Sequence, residues 1–130
     1  SARINSIEKK QFTFKGHVSW FNKRIKKKPV LFWILKKKRQ NIGYIRLDRK
    51  LNKYYLSYLI SKNHRDKKYG TSIIEMMLKK KEVKIILEKK FHLIAVSKKK
   101  NKKSISSLLK NNFNQIYKSR NTLTLQYDNS

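Results

Sequence analysis

A chain of 130 residues, of which 38% are hydrophobic and 12% aromatic, is long enough to bury the core of one domain. It has no cysteine and three scattered histidines, which excludes disulfides, a thiolate nucleophile and a cysteine-ligated zinc site, and we expect no metal. No apolar run reaches the length of a membrane span and no signal peptide is visible, so we expect a single cytoplasmic domain, residues 1–130, without a membrane partner.

The net charge of +28 has two explanations. A polyanion partner such as nucleic acid is the obvious one. However, Lys outnumbers Arg 28 to 7, while Gly (3), Pro (1) and Ala (2) are scarce, as in proteins encoded by A/T-rich genomes. We attribute most of the charge to this codon bias and keep nucleic-acid binding as the alternative.

The start of the chain predicts one helix. A weak pattern at Gln11–Phe14 fits either a short strand or a loop. Apolar residues within Val18–Ile25 then recur at helical spacing. They predict a helix from about His17 to Lys27, which Pro29 ends.

Three strands are predicted next. Val30–Leu35 is a continuous apolar run, typical of a strand buried on both faces. Asn41–Asp48 alternates, which places Ile42 on the face opposite to Ile45. Short polar links join these strands to a third at Tyr54–Ser61, so we expect an antiparallel meander.

The second half alternates helices and strands. Its patterns predict the following elements: a helix from Gly70 or Thr71 to Lys80 that continues through Glu82–Lys90, a strand at Phe91–Ser97, a helix at Ser104–Lys110, and strands at Phe113–Lys118 and Thr122–Tyr127. The fold class is therefore α+β, with a mixed, mostly antiparallel sheet of about six strands flanked by helices.

The stretch from Tyr54 to Met77 predicts an anion site. A strand leads into a basic turn, which ends at Gly70 where a helix begins. The turn holds four cations: Lys62, Arg65, Lys67 and Lys68. The first N–H groups of a helix lack intrahelical partners and lie at the positive end of its dipole, an arrangement suited to phosphate. The alternative is a solvated basic loop before an ordinary helix.

The run LISKNHRDKKYGTSII resembles the acetyl-CoA signature of the GCN5-related N-acetyltransferase (GNAT) superfamily, Arg/Gln-x-x-Gly-x-Gly/Ala. Arg65 matches its first position and Gly70 its last. Lys68 replaces the middle glycine, and at positive φ a lysine costs more free energy than a glycine.

The run IAVSKKKNKKSISSLLKNNF resembles a second block of that superfamily, in which a strand, an Asn, a Ser-Ile helix and Gly-Phe follow one another. Asn101, Ser104, Ile105 and Phe113 match. Asn112 stands where glycine is usual, and Asn also tolerates the left-handed conformation.

The runs HVSWFNKRI and IGYIRLD look like the branch that contains aminosugar and ribosomal-protein acetyltransferases. The family usually opens with a strand and a helix before the region that matches Arg3–Ile7. Either this chain was trimmed or its sheet lacks the first strand. An open edge would predict association of two copies into a homodimer.

The resemblance implies transfer of an acetyl group from acetyl-CoA to a primary amine. It implies that the co-substrate is bound by Ile60, Lys62, Arg65, Asp66, Lys67, Lys68, Tyr69, Gly70, Thr71, Asn101 and Ser104. The amide groups of the pantetheine arm would pair with the open edge of the third strand. A backbone N–H near the end of that strand would stabilise the oxyanion.

We expect His17 to be the base that takes a proton from the acceptor amine; the alternative is a histidine that only packs at the start of the helix. Trp20 and Arg46 are expected to lie near the acceptor. The implied acceptor is a small amine, most of all a nucleotide-linked aminosugar, because a basic pocket suits a diphosphate. In this family a Tyr often protonates the leaving thiolate, but the matching residue here is Leu108. Its possible substitutes are Tyr117, Tyr58 and Ser104.

Two other functions remain open. A nucleic-acid-binding protein would need exposed rings on one sheet face, offered by Trp33, Tyr54, Tyr55 and Tyr58. A GNAT-fold protein that binds CoA without efficient turnover is favoured by Lys68, by Leu108 and by the absence of the opening strand.

Overall fold

The computed structural model describes residues 12–19, 30–65 and 68–129, and for residues 12–19 and 30 the backbone alone. Within this part of the chain the elements are β1 (Phe12–Ser19), β2 (Val30–Lys37), β3 (Gln40–Lys50), β4 (Lys53–Ile60), a 3-10 turn (Lys62–His64), α1 (Tyr69–Leu78), α2 (Lys81–Glu88), β5 (His92–Lys98), α3 (Lys102–Lys110), β6 (Phe113–Lys118) and β7 (Thr122–Tyr127). All the described strands form one sheet of order β1-β2-β3-β4-β5-β7-β6. Only β4 and β5 are parallel among these pairs, so the predicted mixed α+β fold is confirmed.

Strand β1 corrects the prediction for the start of the chain. His17, predicted to begin a helix, lies in β1, which pairs antiparallel with β2 from Phe12 to Ser19. Phe12, Phe14 and Val18 also fit the two-residue period of a strand, and pairing satisfies the backbone groups of both strands. β1 thereby covers the edge of β2 that was expected to be open. The rest of the predicted helix lies outside the described residues.

The core lies between one face of the sheet and the three helices. Leu31, Trp33 and Leu35 of β2 join buried residues of α1, α2 and α3 in a single cluster. Phe32 and Ile34 on the other face are only half-buried, so burial of β2 on both faces was wrong. The described helices all contribute to the same cluster, so one face is packed more deeply than the other.

A bulge in β3 moves Ile42 into the core. The β2–β3 register shifts after Leu35, so that Leu35 pairs with Gly43 but Lys36 pairs with Asn41. The extra residue, Ile42, is fully buried together with Ile45. The strict alternation that placed these two side chains on opposite faces fails because a bulge changes the phase of a strand.

Helices α1 and α2 are separate, whereas the sequence predicted one continuous helix. Lys80 between them has extended backbone angles, φ −71° and ψ 141°. Met77 and Val83 are both completely buried. In a continuous helix these two residues would point about 120° apart, at about 100° per residue. Because the helix is interrupted at Lys80, α2 begins in a new orientation, and both helices can bury their apolar faces.

Candidate functional site

The sheet splits between β4 and β5. These parallel strands pair over four residues only, and the pairing ends at Leu56 and Ala95. On its other side β4 pairs with β3 through Ile60. Residues 57–60 therefore have a strand partner on one edge, and among the described strands none on the other.

The alternation of a strand identifies the backbone groups that face the split. Ser61 donates its N–H to the carbonyl of Ile42 at 2.8 Å, toward β3. Since successive residues direct their N–H and C=O groups to opposite sides, Tyr58 and Ile60 direct theirs toward the split. Arg65 Nε donates to the Ile60 carbonyl at 3.0 Å, which ties the following turn to this edge.

Helix α1 begins at the end of the split. Its first intrahelical hydrogen bond runs from the N–H of Ser72 to the carbonyl of Lys68, so the N–H groups of Gly70 and Thr71 precede it. The first turn contains no acidic residue, and the side chain of Lys68 makes no capping hydrogen bond. Lys68 has φ 62°, the left-handed conformation for which the resemblance implies glycine.

Gly70 allows close packing at the start of α1. A Cβ atom at this position would lie 3.2 Å from the Tyr58 ring and 3.4 Å from Ser107 Oγ. Its backbone does not have positive φ. The absence of a side chain therefore lets the start of α1 approach both β4 and α3.

Helix α3 forms the opposite wall. Asn101, as expected for a cap, accepts a hydrogen bond from the N–H of Ser104 at 3.2 Å. Two contacts cross the cleft, from Tyr58 Oη to Ser104 Oγ at 3.2 Å and between Thr71 Oγ1 and Ser107 Oγ at 2.9 Å. These contacts fix α3 against both β4 and the first turn of α1.

These elements enclose a cleft of about 760 Å³. Five cations line it: Arg65, Lys68, Lys102, Lys103 and Lys110. Four Ser and Thr hydroxyl groups also line it: Thr71, Ser104, Ser106 and Ser107. No Asp or Glu is found among the described residues of this wall. The cleft thus suits a long ligand that carries several negative charges.

Most residues predicted to bind the co-substrate come together here: Ile60, Arg65, Lys68, Tyr69, Gly70, Thr71, Asn101 and Ser104. The side chain of Tyr69 is buried in the core, so this residue can offer only its backbone to a ligand. Lys62 lies in the 3-10 turn and is not part of the wall. Asp66 and Lys67 lie outside the described residues.

Apart from Ser104, the lysines and serines that α3 contributes to the wall were not predicted from the sequence. Lys103, Ser107 and Lys110 follow one another at i, i+4 and i+7, and so share one face of the helix. That spacing was a usable signal. It was hidden because lysines occur on most helices of this chain.

Two residues predicted for the acceptor, His17 and Arg46, belong to one row of the strand register. The register pairs His17 with Phe32, Phe32 with Arg46, and Arg46 with Ser57. His17 and Arg46 are two strands apart, which corresponds to about 10 Å. This row crosses β4 at the beginning of the split. Trp20 lies outside the described residues.

Arg46 is held by an ion pair. Its guanidinium donates to both carboxylate oxygens of Asp48, at 2.6 and 2.9 Å. This hydrogen-bonded pair raises the pKa of Arg46 above its ordinary value, so the guanidinium stays charged at any working pH. The side chains are 34% and 41% exposed. Part of the cationic character of Arg46 is therefore neutralised before any ligand arrives.

The candidate proton donors for a leaving group are placed differently. Tyr58 and Ser104 line the cleft and contact each other. Tyr117 is 63% exposed on β6 and is not part of the wall. Leu108 is buried in the core.

Among the described residues no three His, Cys, Asp or Glu side chains are grouped closely enough to hold a metal ion. In the same part of the chain no helix has the length and apolar character needed to cross a membrane.

A sheet split between its fourth and fifth strands, with a helix N-terminus at the split, is the fold that this chain shares with solved N-acetyltransferase structures, as expected from the sequence resemblance. The chain is similar to the PaiA N-acetyltransferase of Thermoplasma acidophilum in complex with coenzyme A (TM-score 0.61, 20% identity, 76% of this chain and 60% of that one). It is similar to the N-acetyltransferase PseH of Campylobacter jejuni in complex with acetyl coenzyme A (0.62, 16%, 78% and 69%). It is also similar to a dodecameric spermidine N-acetyltransferase of Vibrio cholerae (0.67, 12%, 90% and 93%).

At sequence identities this low, the structural similarity shows only that the fold is shared. No family model and no curated protein matches the chain. The chain spans 60% of the length of the Thermoplasma protein.

Proposed function

We propose that the chain is an acetyl-CoA-dependent N-acetyltransferase that acts on the primary amine of a small molecule. The observation that carries this proposal is that the open edge of β4 and the first turn of α1 face one cationic cleft. Two of the similar structures hold coenzyme A or acetyl coenzyme A, which supports the same ligand here.

The cleft offers each part of the co-substrate suitable partners. The N–H groups of Gly70 and Thr71, with Arg65 and Lys68, would receive the pyrophosphate. The backbone edge at Tyr58 and Ile60 would pair with the amides of the pantetheine arm as an added strand does. No covalent bond between protein and ligand is required.

The reaction is a direct acyl transfer. The neutral amine attacks the thioester carbonyl, the carbon–sulfur bond breaks, and the acetyl group stays on nitrogen. The backbone N–H of Tyr58 faces the split and is our candidate donor to the developing oxyanion. The amine proton would leave to water and would reach His17 only through further water molecules, because β1 lies three strands, about 14 Å, from β4. The thiolate is stable enough to leave before it is protonated.

For the acceptor we propose a nucleotide-linked aminosugar, received near His17, Trp20 and Arg46. On the face of the sheet that carries Arg46, the carboxylate of Asp48 already forms an ion pair with the Arg46 guanidinium. A polyamine would find few carboxylates there, whereas the diphosphate of a sugar nucleotide gains from a chain of charge +28.

A thiol-release assay tests both the proposed acetyl transfer and the proposed acceptor. The chain contains no cysteine, so a thiol reagent detects only the coenzyme A that turnover releases. We expect turnover with nucleotide-linked amino sugars, little turnover with spermidine or basic peptides, and lower turnover in the His17→Ala variant. Turnover with basic peptides alone would overturn the proposed acceptor class. Absence of turnover with any amine would overturn the proposed acetyltransferase activity.

One alternative has a specific observation in its favour. Leu108, buried in the core, stands where the family often has the tyrosine that protonates the thiolate. The chain would then bind coenzyme A without efficient turnover. Calorimetric binding together with absent turnover across acceptors would select this alternative.

A further inference from the structure

The topology sets the direction in which a coenzyme A molecule lies in the cleft, an argument that rests on the proposed function. β5 leads through Asn101 into the N-terminus of α3, so that end of α3 adjoins the split. The reactive thioester must reach the split. The nucleotide half must therefore lie toward the other end of α3.

The last turn of α3 is fixed beside the start of α1. Asn111 Nδ2 donates to the carbonyl of Thr71 at 3.2 Å and to that of Ser107 at 2.9 Å. Lys110, the preceding residue, is exposed and lines the cleft. It is about 10 Å along the helix axis from Lys103, near the split end. The ammonium group of Lys110 thus lies beside the phosphate-binding turn, at the end of α3 that faces the nucleotide half of the ligand.

We propose that Lys110 binds the 3′-phosphate on the ribose of coenzyme A and makes the cleft select coenzyme A over its dephospho form. The pyrophosphate and the pantetheine arm are the same in both ligands, so their partners cannot discriminate. A phosphomonoester carries a charge of about −1.5 to −2 at neutral pH, and a flexible ammonium group at the rim of the cleft is a suitable partner.

Calorimetry with coenzyme A and dephospho-coenzyme A tests this proposal on the unmodified chain, Lys110→Gln and Lys84→Gln. Lys84 is an exposed lysine on α2, outside the cleft, and its replacement removes the same charge from the molecule. We expect the unmodified chain to prefer coenzyme A by about three- to tenfold. Lys110→Gln should lose most of that preference and bind dephospho-coenzyme A unchanged, whereas Lys84→Gln should keep the preference.

Equal affinities of the unmodified chain for the two ligands would overturn the proposal and leave the coenzyme A site intact. The proposal would also be overturned if Lys110→Gln lowered the affinity for both ligands equally, or if Lys84→Gln lost the same preference for coenzyme A. Failure of both ligands to bind the unmodified chain would overturn the proposed function as well.

Discussion

At the scale of single residues, Lys68 combines strain with charge. It is the residue before α1 and adopts φ 62° and ψ 17°. For a non-glycine residue this conformation costs about 1–2 kcal/mol. Its charge lies beside the backbone groups proposed to bind phosphate, which gives the strained lysine a function that glycine would lack.

Replacing Lys68 should separate these two effects. We expect Lys68→Gly to raise the free energy of unfolding by about 0.5–1 kcal/mol, because relief of strain exceeds the greater freedom of glycine in the unfolded chain. The affinity for coenzyme A should fall severalfold. Lys68→Ala removes the same charge but keeps the strain, so it should lose affinity without gaining stability. Urea unfolding and calorimetry measure the two quantities, and a Lys68→Gly variant no more stable than Lys68→Ala would contradict this account.

At the scale of elements, Gly43 sets the spacing of β3 and β4. A Cβ atom there would lie 2.3 Å from the carbonyl oxygen of Leu59, which is backbone and cannot move aside. Residues 57–60 of β4 depend on β3, since they have no described strand partner at the split. The spacing at Gly43 therefore positions the edge proposed to bind the pantetheine arm.

Gly43→Ala should reduce the free energy of unfolding by about 2 kcal/mol, because β4 must shift to relieve the overlap. Ser57→Ala on the exposed face of β4 is the matched control and should change stability by less than about 0.5 kcal/mol. Denaturant unfolding of both variants measures the difference. Equal stabilities would mean that the two strands are not held this closely.

The sequence predicted those elements whose pattern is local. The bounds of β6 and β7 are those expected, Phe113–Lys118 and Thr122–Tyr127. β1 was predicted only in part, as a possible short strand at Gln11–Phe14, because the strand-like spacing of FTFKGHVS overlaps the helix-like spacing that continues from Val18. The break at Lys80 is invisible locally, since it depends on which faces meet a shared core.

The same reasoning applies to the site. The turn from Arg65 to Thr71 was predictable because one contiguous segment supplies it. Lys110 comes from an element about 40 residues later, and only the tertiary contact between α1 and α3 places it in the same cleft. Arg46 was predictable as a strand residue, but its pairing with Asp48 was not.

At the scale of the whole molecule, the positive charge of the described residues is spread over several parts of the surface, which agrees with codon bias as its main source. Cations lie at the β2–β3 turn and at the β3–β4 turn, which are at opposite ends of the sheet, and on all three helices or their ends. The rings of Trp33 and Tyr54 are buried, so these two cannot serve the stacking platform that the nucleic-acid alternative needs. β1 covers the edge from which a homodimer was predicted, so homodimer formation stays a prediction without that support.

Binding to nucleic acid, where it occurs, should therefore be charge-driven and without base preference. We expect any affinity for single-stranded DNA to fall by orders of magnitude between low and physiological salt. Fluorescence anisotropy with labelled oligonucleotides of different sequence measures this dependence. Tight binding that persists at physiological salt, or a strong preference for one sequence, would restore the nucleic-acid alternative.

The central claim is that the first turn of α1 and the split in the sheet form one coenzyme A site. Calorimetric titration of coenzyme A tests it most directly, in the unmodified chain, Gly70→Ala and Gly70→Asp. An Asp in the first turn favours the helix dipole, so Gly70→Asp should fold, while its charge opposes the pyrophosphate. We predict one coenzyme A per unmodified chain, modest weakening in Gly70→Ala from contact with Tyr58, and no measurable binding in Gly70→Asp. No heat and no thermal shift with millimolar coenzyme A, or equal binding by a folded Gly70→Asp variant, would contradict the account.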